Sequence, residues 1–270
     1  MDLETIKFFF LGLIQGLTEP IPVSSSGHLL MLSHYFGVGL EEDKQLGFAV
    51  MVNFASLLAV LLIYRDDLFR LAKNSALYLK DRSDEYQSDF KFVLFILLGT
   101  IPAGVLGVLF SDVLEEHLTG VKVIGGALLV TAFALWVIRN LKGAKNDGDL
   151  TIREALIIGF AQAIALIPGI SRSGSTIVAG MLAGLKQDTA LRFSFMLFIP
   201  VSLGGVVLES EGIMQVISST DMLLSYAVAF FASLITSYFS LKWFMNVMRH
   251  GNLIIFSVYC AIVGTLVLVF

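Results

Sequence analysis

The stretch Pro22-Val23-Ser24-Ser25-Ser26-Gly27-His28 has a partner in Pro168-Gly169-Ile170-Ser171-Arg172-Ser173-Gly174-Ser175-Thr176. Both are dense in hydroxyls and glycine, and both interrupt apolar sequence. Gly12 and Gly159, Gln15 and Gln162, Ser24 and Ser171, Ser26 and Ser173, and Gly27 and Gly174 are each 147 positions apart. The chain therefore reads as two copies of one unit, each carrying a polar, helix-breaking loop within apolar surroundings. Irregular backbone survives at membrane depth only where protein buries it or where it lines a cavity.

Composition supports a membrane setting. Of 270 residues, 56% are hydrophobic and only 15% charged, and the mean hydropathy is +0.83, whereas a soluble domain is roughly a quarter charged. One cysteine, Cys260, excludes a disulfide framework, and it has no polar neighbour to make it a catalytic thiol. Asp2 and Glu4 stand where a cleavable signal peptide would carry basic residues, so none is expected.

Six apolar stretches are long enough to span a bilayer, which takes about 20 residues: 47–64, 91–110, 121–138, 191–208, 222–241 and 252–270. Two regions, 5–37 and 153–186, each hold two shorter apolar pieces around a polar loop and read as re-entrant helical hairpins. Pro20, Pro22 and Pro168 with Gly27, Gly169 and Gly174 suit the breaks. The expected architecture is an all-α integral membrane protein forming one domain over 1–270. Repeat one covers about 1–140 and repeat two about 150–270.

Charge sets the orientation. The 65–91 connection holds Arg65, Arg70, Lys73, Lys80, Arg82 and Lys91, and 139–153 holds Arg139, Lys142, Lys145 and Arg153. The 111–122 connection has Asp112, Glu115 and Glu116 against Lys122, and 209–221 has Glu209, Glu211 and Asp221 with no base. The positive-inside bias puts the first two in the cytoplasm and the last two outside. The two hairpins then enter from opposite sides, which makes the repeat inverted and lets its loops meet near the midplane.

The loop residues suit anion chemistry. An isolated membrane serine usually satisfies a helix carbonyl, but Ser24, Ser25 and Ser26 form a run ahead of Gly27 and His28. Successive amides with small side chains at a helix start make an anion-binding nest. Ser171, Ser173, Gly174 and Thr176 repeat that logic around Arg172, whose guanidinium can grip phosphate bidentately. Glu19 is a charge at costly depth, and Gln15, four residues earlier, shares its helix face. Ser25 is the favoured nucleophile with His28 as general base; attack by His28 or by water remains open. Asn53 is a candidate supporting donor. Lys186 and Arg192 read as cytoplasmic helix anchors, and His34, His117 and His250 receive no function.

At these residues the chain resembles the integral-membrane undecaprenyl-diphosphatases of the bacitracin-resistance type, over nearly its whole length. The Gln15/Glu19 pair leading into Pro22–His28 matches the family's first motif. Pro168 to Thr176 completes its Pro-Gly-x-Ser-Arg-Ser-Gly-x-Thr motif. The resemblance implies removal of the terminal phosphate from the C55 isoprenoid diphosphate, recycling the cell-wall carrier and conferring bacitracin resistance. It also implies a bacterial inner membrane, a homodimer, and a divalent cation (magnesium or calcium) near Gln15 and Glu19. No nucleic acid is expected as a partner. The chain departs from the family in carrying Gln15 where glutamate is usual, Pro20 for an aromatic, Ala49 for an acid and Asn53 for glutamine. The rival reading is a carrier that moves polyprenyl phosphate across the membrane, a role for which broken helices are also suited.

Overall fold

Apolar runs without internal breakers become long helices, and the two polar stretches become the breaks between short ones. The computed structural model describes residues 2–37, 42–118, 120–218, 222–249 and 253–270. Asp221 and His250 lie outside the described residues, as do the side chains of Asp112, Glu115, Glu116 and His117. The helices are α1 (Leu3–Thr18), α2 (Ser25–Phe36), α3 (Glu42–Ile63), α4 (Arg65–Asp81), α5 (Asp84–Leu118) and α6 (Val121–Ile138). They continue as α7 (Ile152–Ile164), α8 (Arg172–Leu182), α9 (Gln187–Leu208), α10 (Ser210–Ser218), α11 (Leu223–Arg249) and α12 (Ile254–Val269). A 3₁₀ turn covers Asp147–Asp149, and no strand occurs among the described residues.

Five helices, α3, α5, α6, α9 and α11, are long and apolar enough to cross a membrane. The sixth expected span is the shorter apolar α12, of 16 residues. Two connections expected as loops carry helices. In α4, Leu68 and Leu71 turn inward while Asp66, Arg70, Lys73 and Lys80 face out, an amphipathic pattern that a hydropathy reading passes over. Short α10 similarly buries Gly212 and Val216.

The breaks fall where the residues dictate. Thr151 and Glu154 form a capping box that starts α7. The hydroxyls of Ser24 and Ser171 accept from the amides of Gly27 and Gly174, at 3.3 and 3.1 Å, and so start α2 and α8. Helices α1 and α7 each then pack backbone to backbone against a longer helix. A Cβ on Gly12 would lie 2.1 Å from the Ala229 carbonyl oxygen in α11, and one on Gly159 would lie 2.4 Å from that of Gly99 in α5. Such close approach is how helices associate where lipid competes for apolar surface.

Hydroxyls tie the bundle internally. Ser56 in α3 bonds Ser233 at 3.1 Å and Ser237 at 2.8 Å in α11, and Ser233 donates to the Val52 carbonyl at 2.8 Å. Near one end, Arg192 is less an interface anchor than the hub of an ion network. It pairs with Asp67 and Asp147 and lies 4.4 Å from the centre of the Phe92 ring.

Candidate active site

The two breaks touch. Ser173 donates to the Ile21 carbonyl at 3.2 Å, a Cβ on Gly174 would meet Pro22 at 3.3 Å, and one on Gly27 would meet Gly169 at 3.1 Å. Gly169, at φ 95°, lies so close to α6 that a Cβ would fall 2.8 Å from the Ile124 carbonyl oxygen, so only glycine suits this position. Behind it Thr131 of α6 accepts from the Ser171 amide at 3.1 Å. The expected meeting of the polar loops therefore occurs, with α6 as its backing.

Glu19 is the centre of the site. It caps the end of α1, and its carboxylate accepts from three side chains. Gln15 donates from Nε2 at 3.2 Å, Ser25 from its hydroxyl, and Arg172 from Nη2 at 2.6 Å. The Glu19 and Arg172 side chains are only 11% and 15% exposed, so this is a largely buried ion pair. Arg172 also lies 3.8 Å over the Phe198 ring, and its Nη1 is buried with no partner among the described residues. A buried guanidinium nitrogen with an unspent hydrogen-bonding capacity is a costly arrangement unless something binds there.

His28 is placed differently from expectation. Its Nδ1 is 2.7 Å from the Ser24 carbonyl oxygen, and its Nε2 is 2.8 Å from the hydroxyl of Tyr259 in α12. The pairing of Ser25 with His28 is replaced by Ser25 with Glu19. Ser25 opens α2, so its side chain leans back toward the end of α1, while the imidazole one turn on folds over Ser24. Ser24 itself holds φ 67°, an unusual conformation for a non-glycine residue.

The other expected residues divide by exposure. Ser26 is exposed and Ser25 half-buried, so both can meet a ligand. Ser171 and Ser173 are buried and spend their hydroxyls on the cap and the crossing. Thr176 is fully buried and bonds Ser194 at 2.6 Å and the Arg172 carbonyl at 2.9 Å, behind the site rather than in it. Asn53 donates to Ser202 at 3.3 Å, linking α3 to α9. Gln162, the counterpart of Gln15, is buried with both amide atoms unpartnered among the described residues, and Leu166 at the place of Glu19 offers its Nε2 no acceptor. Tyr259 escaped the sequence reading.

For a divalent cation the protein offers one carboxylate and one amide. No group of three or more acidic, histidine or cysteine residues placed to hold a metal ion occurs among the described residues. Both Glu19 oxygens already accept from Gln15, Ser25 and Arg172, so a cation held here would take a share of that carboxylate and the Gln15 amide oxygen, with its other ligands drawn from diphosphate oxygens and water.

Fold and site together define a polytopic helical membrane protein with a largely buried carboxylate–hydroxyl–guanidinium cluster of the kind that can meet an anionic headgroup. The match to the family of bacitracin resistance protein BacA covers residues 8–266, and the chain belongs to that family. It is 57% identical over 265 residues to undecaprenyl-diphosphatase 2 of Bacillus thuringiensis (strain Al Hakam), covering 98% of this chain and 97% of the relative. It is 54% identical over 267 residues to the undecaprenyl-diphosphatase of Oceanobacillus iheyensis, covering 98% and 96%. It is 50% identical over 269 residues to undecaprenyl-diphosphatase 1 of Bacillus licheniformis, covering 99% and 98%.

Proposed function

We propose that this pocket hydrolyses undecaprenyl diphosphate to undecaprenyl phosphate and inorganic phosphate in the bacterial inner membrane. The observation that carries the mechanism is the Glu19 carboxylate, which holds the Ser25 hydroxyl and the Arg172 guanidinium at once. Arg172 keeps Nη2 on Glu19 and offers Nη1 to the terminal phosphate, while the exposed Ser26 and the amides of the first turn of α2 add donors. The Ser25 oxygen attacks the terminal phosphorus as its proton passes to Glu19, and the bridging P–O bond breaks to release the lipid monophosphate. Water then adds to the phosphoserine and the Oγ–P bond breaks. Ser25 takes the proton back from Glu19, and phosphate leaves with the hydrogens of the water. A divalent cation, when bound beside Glu19 and Gln15, neutralises charge on the diphosphate.

The finer architecture belongs to the same proposal: α12 as a sixth span, α1–α2 and α7–α8 as re-entrant hairpins, and inverted repeats. Its support is the matched packing of Gly12 on α11 and Gly159 on α5. Further support is that Ser25 and Arg172 occupy equivalent places 147 residues apart. The basic connections 65–91 and 139–153 then face the cytoplasm, 111–122 and 209–221 face outward, and the protein is a homodimer. A carrier that only moved the lipid phosphate would need anion donors but no hydroxyl resting on a carboxylate.

The test is phosphate release from C55 diphosphate by purified protein, with and without divalent metal, for the wild type and Ser25→Ala. Wild-type turnover that Ser25→Ala loses by more than 100-fold supports the reading. Full turnover by Ser25→Ala removes serine as the nucleophile, and no turnover by the wild type removes the activity.

A further inference from the structure

The imidazole of His28 is held from both ends. A carbonyl oxygen can only accept, so the contact of Nδ1 with the Ser24 carbonyl at 2.7 Å places a hydrogen on Nδ1. In the neutral ring Nε2 is then the acceptor, and the Tyr259 hydroxyl, 2.8 Å away, is the donor that fills it. The two rings lie nearly parallel, at 14°, with centroids 5.6 Å apart. His28 is buried whereas Tyr259 is 41% exposed, so the phenol forms the open wall against which the imidazole rests.

Helix α12 is fixed so that this contact is not incidental. Close on either side of Tyr259 are two other ties: two residues before it Ser257 donates to the Ala132 carbonyl of α6 at 2.7 Å, and next to it the Cys260 thiol points at the Pro22 carbonyl of the first break, at 3.7 Å. Together they set the axial position and rotation of α12 against the residues that carry the site. The strained Ser24 contributes from the other side, since its backbone conformation aims its carbonyl at Nδ1.

We propose that Tyr259 is a positioning residue of the phosphatase reaction, acting with the Ser24 carbonyl to hold His28 in the Nδ1–H tautomer, with Nε2 as the accepting nitrogen. This rests on the hydrolytic reading given above. In the first half-reaction the proton of Ser25 goes to Glu19, and His28 is not needed. In the second, a water must approach the phosphoserine, and in this proposal Nε2 accepts from that water once the Tyr259 hydroxyl yields its place. Without the hydroxyl only the Ser24 carbonyl would hold the ring, and an imidazole that flipped or changed tautomer would present a donor there and orient the water wrongly. The hydroxyl of Tyr259 is thus what makes the imidazole useful, without itself touching a reacting atom.

The test is Tyr259→Phe, which keeps the ring and its stacking but removes the hydroxyl. With C55 diphosphate, kcat should fall by about 10-fold or more while KM stays within about 2-fold, since a group that supports acid–base work acts on turnover. Nitrogen-15 spectra of histidine-labelled protein, with the His28 signal assigned by its loss in His28→Gln, should show one tautomer in the wild type and a mixture in Tyr259→Phe. A wild-type kcat in Tyr259→Phe overturns the proposal. A raised KM at unchanged kcat also overturns it, because Tyr259 would then be a substrate contact. Unchanged tautomer populations overturn it as well. The spectra read the His28–Tyr259 contact without any turnover, so absence of phosphatase activity in the wild type would sink the hydrolytic reading while the tautomer result still decided the contact.

Discussion

Replacing Arg172 by lysine isolates what the guanidinium does beyond carrying charge. The arginine spends Nη2 on Glu19 at 2.6 Å and keeps Nη1 unpartnered among the described residues. A lysine can reach Glu19 or the phosphate, but its single nitrogen cannot hold the fixed fork that serves both. The loss is one charge-assisted hydrogen bond to the diphosphate, about 1.5–3 kcal/mol, so kcat/KM for C55 diphosphate should fall by about 10- to 150-fold. Alanine should be worse on two counts. It also leaves Glu19, only 11% exposed, without its counter-charge, and breaking a buried pair from one side costs about 3–5 kcal/mol of stability. Phosphate release measured beside the thermal midpoint separates the effects: the lysine variant should stay folded and slow, and the alanine variant should lose both. A lysine variant within 3-fold of wild type would refute the fork.

Four further outcomes are expected. Gln15→Glu should lower the divalent concentration giving half-maximal activity, because it adds a carboxylate beside Glu19; an unchanged titration would show that residue 15 only donates to Glu19. His28→Ala should cut kcat by about 10²- to 10⁴-fold with a smaller change in KM, whereas the reverse split would make His28 a binding group. Gly12→Ala should lower the thermal midpoint, since the new methyl meets the Ala229 carbonyl at 2.1 Å, an overpacking cost of about 1–3 kcal/mol or more; Gly126→Ala, with nothing within 4 Å, should not. For Glu154, burial pulls its pKa upward, but the hydrogen bonds from Lys145 and Thr151 outweigh it and hold it at about 2, below the ordinary 4.5. A depressed carboxylate contributes stability that is complete above 4.5 and fades as pH falls toward 2. Glu154→Gln should therefore flatten the acid loss of stability across that window.

The sequence made the two breaks and their meeting legible because glycine, proline and hydroxyl residues stand out against apolar surroundings, and a shared offset tied the loops together. Gln15, Glu19, Ser25 and Arg172 could be read as one set for the same reason. The partner of Ser25 could not, because its spacing to His28 resembles a helical contact while the chain actually bends between Glu19 and Ser25. Tyr259 was hidden by its setting: it sits in an apolar run 231 residues from His28, and nothing local marks it. Helices α4 and α10 were missed because charge density read as loop outweighed an apolar stripe at helical spacing.

The link between Glu19 and Arg172 spans 153 residues, and that distance sets a timetable for biosynthesis. At about 5–20 residues per second, the first hairpin leaves the ribosome roughly 8–30 seconds before its arginine. During that interval a carboxylate destined for a buried place has no counter-charge, and seating it in hydrocarbon is costly. The segment from α1 to α2 is therefore expected to settle late, once Arg172 has arrived, and until then the nascent chain is a hydrolase that cannot yet cut. A ribosome-stalled chain ending before Pro168 should leave a cysteine placed at Val23 open to a water-soluble maleimide, and the full-length chain, in which that position is 1% exposed, should shield it.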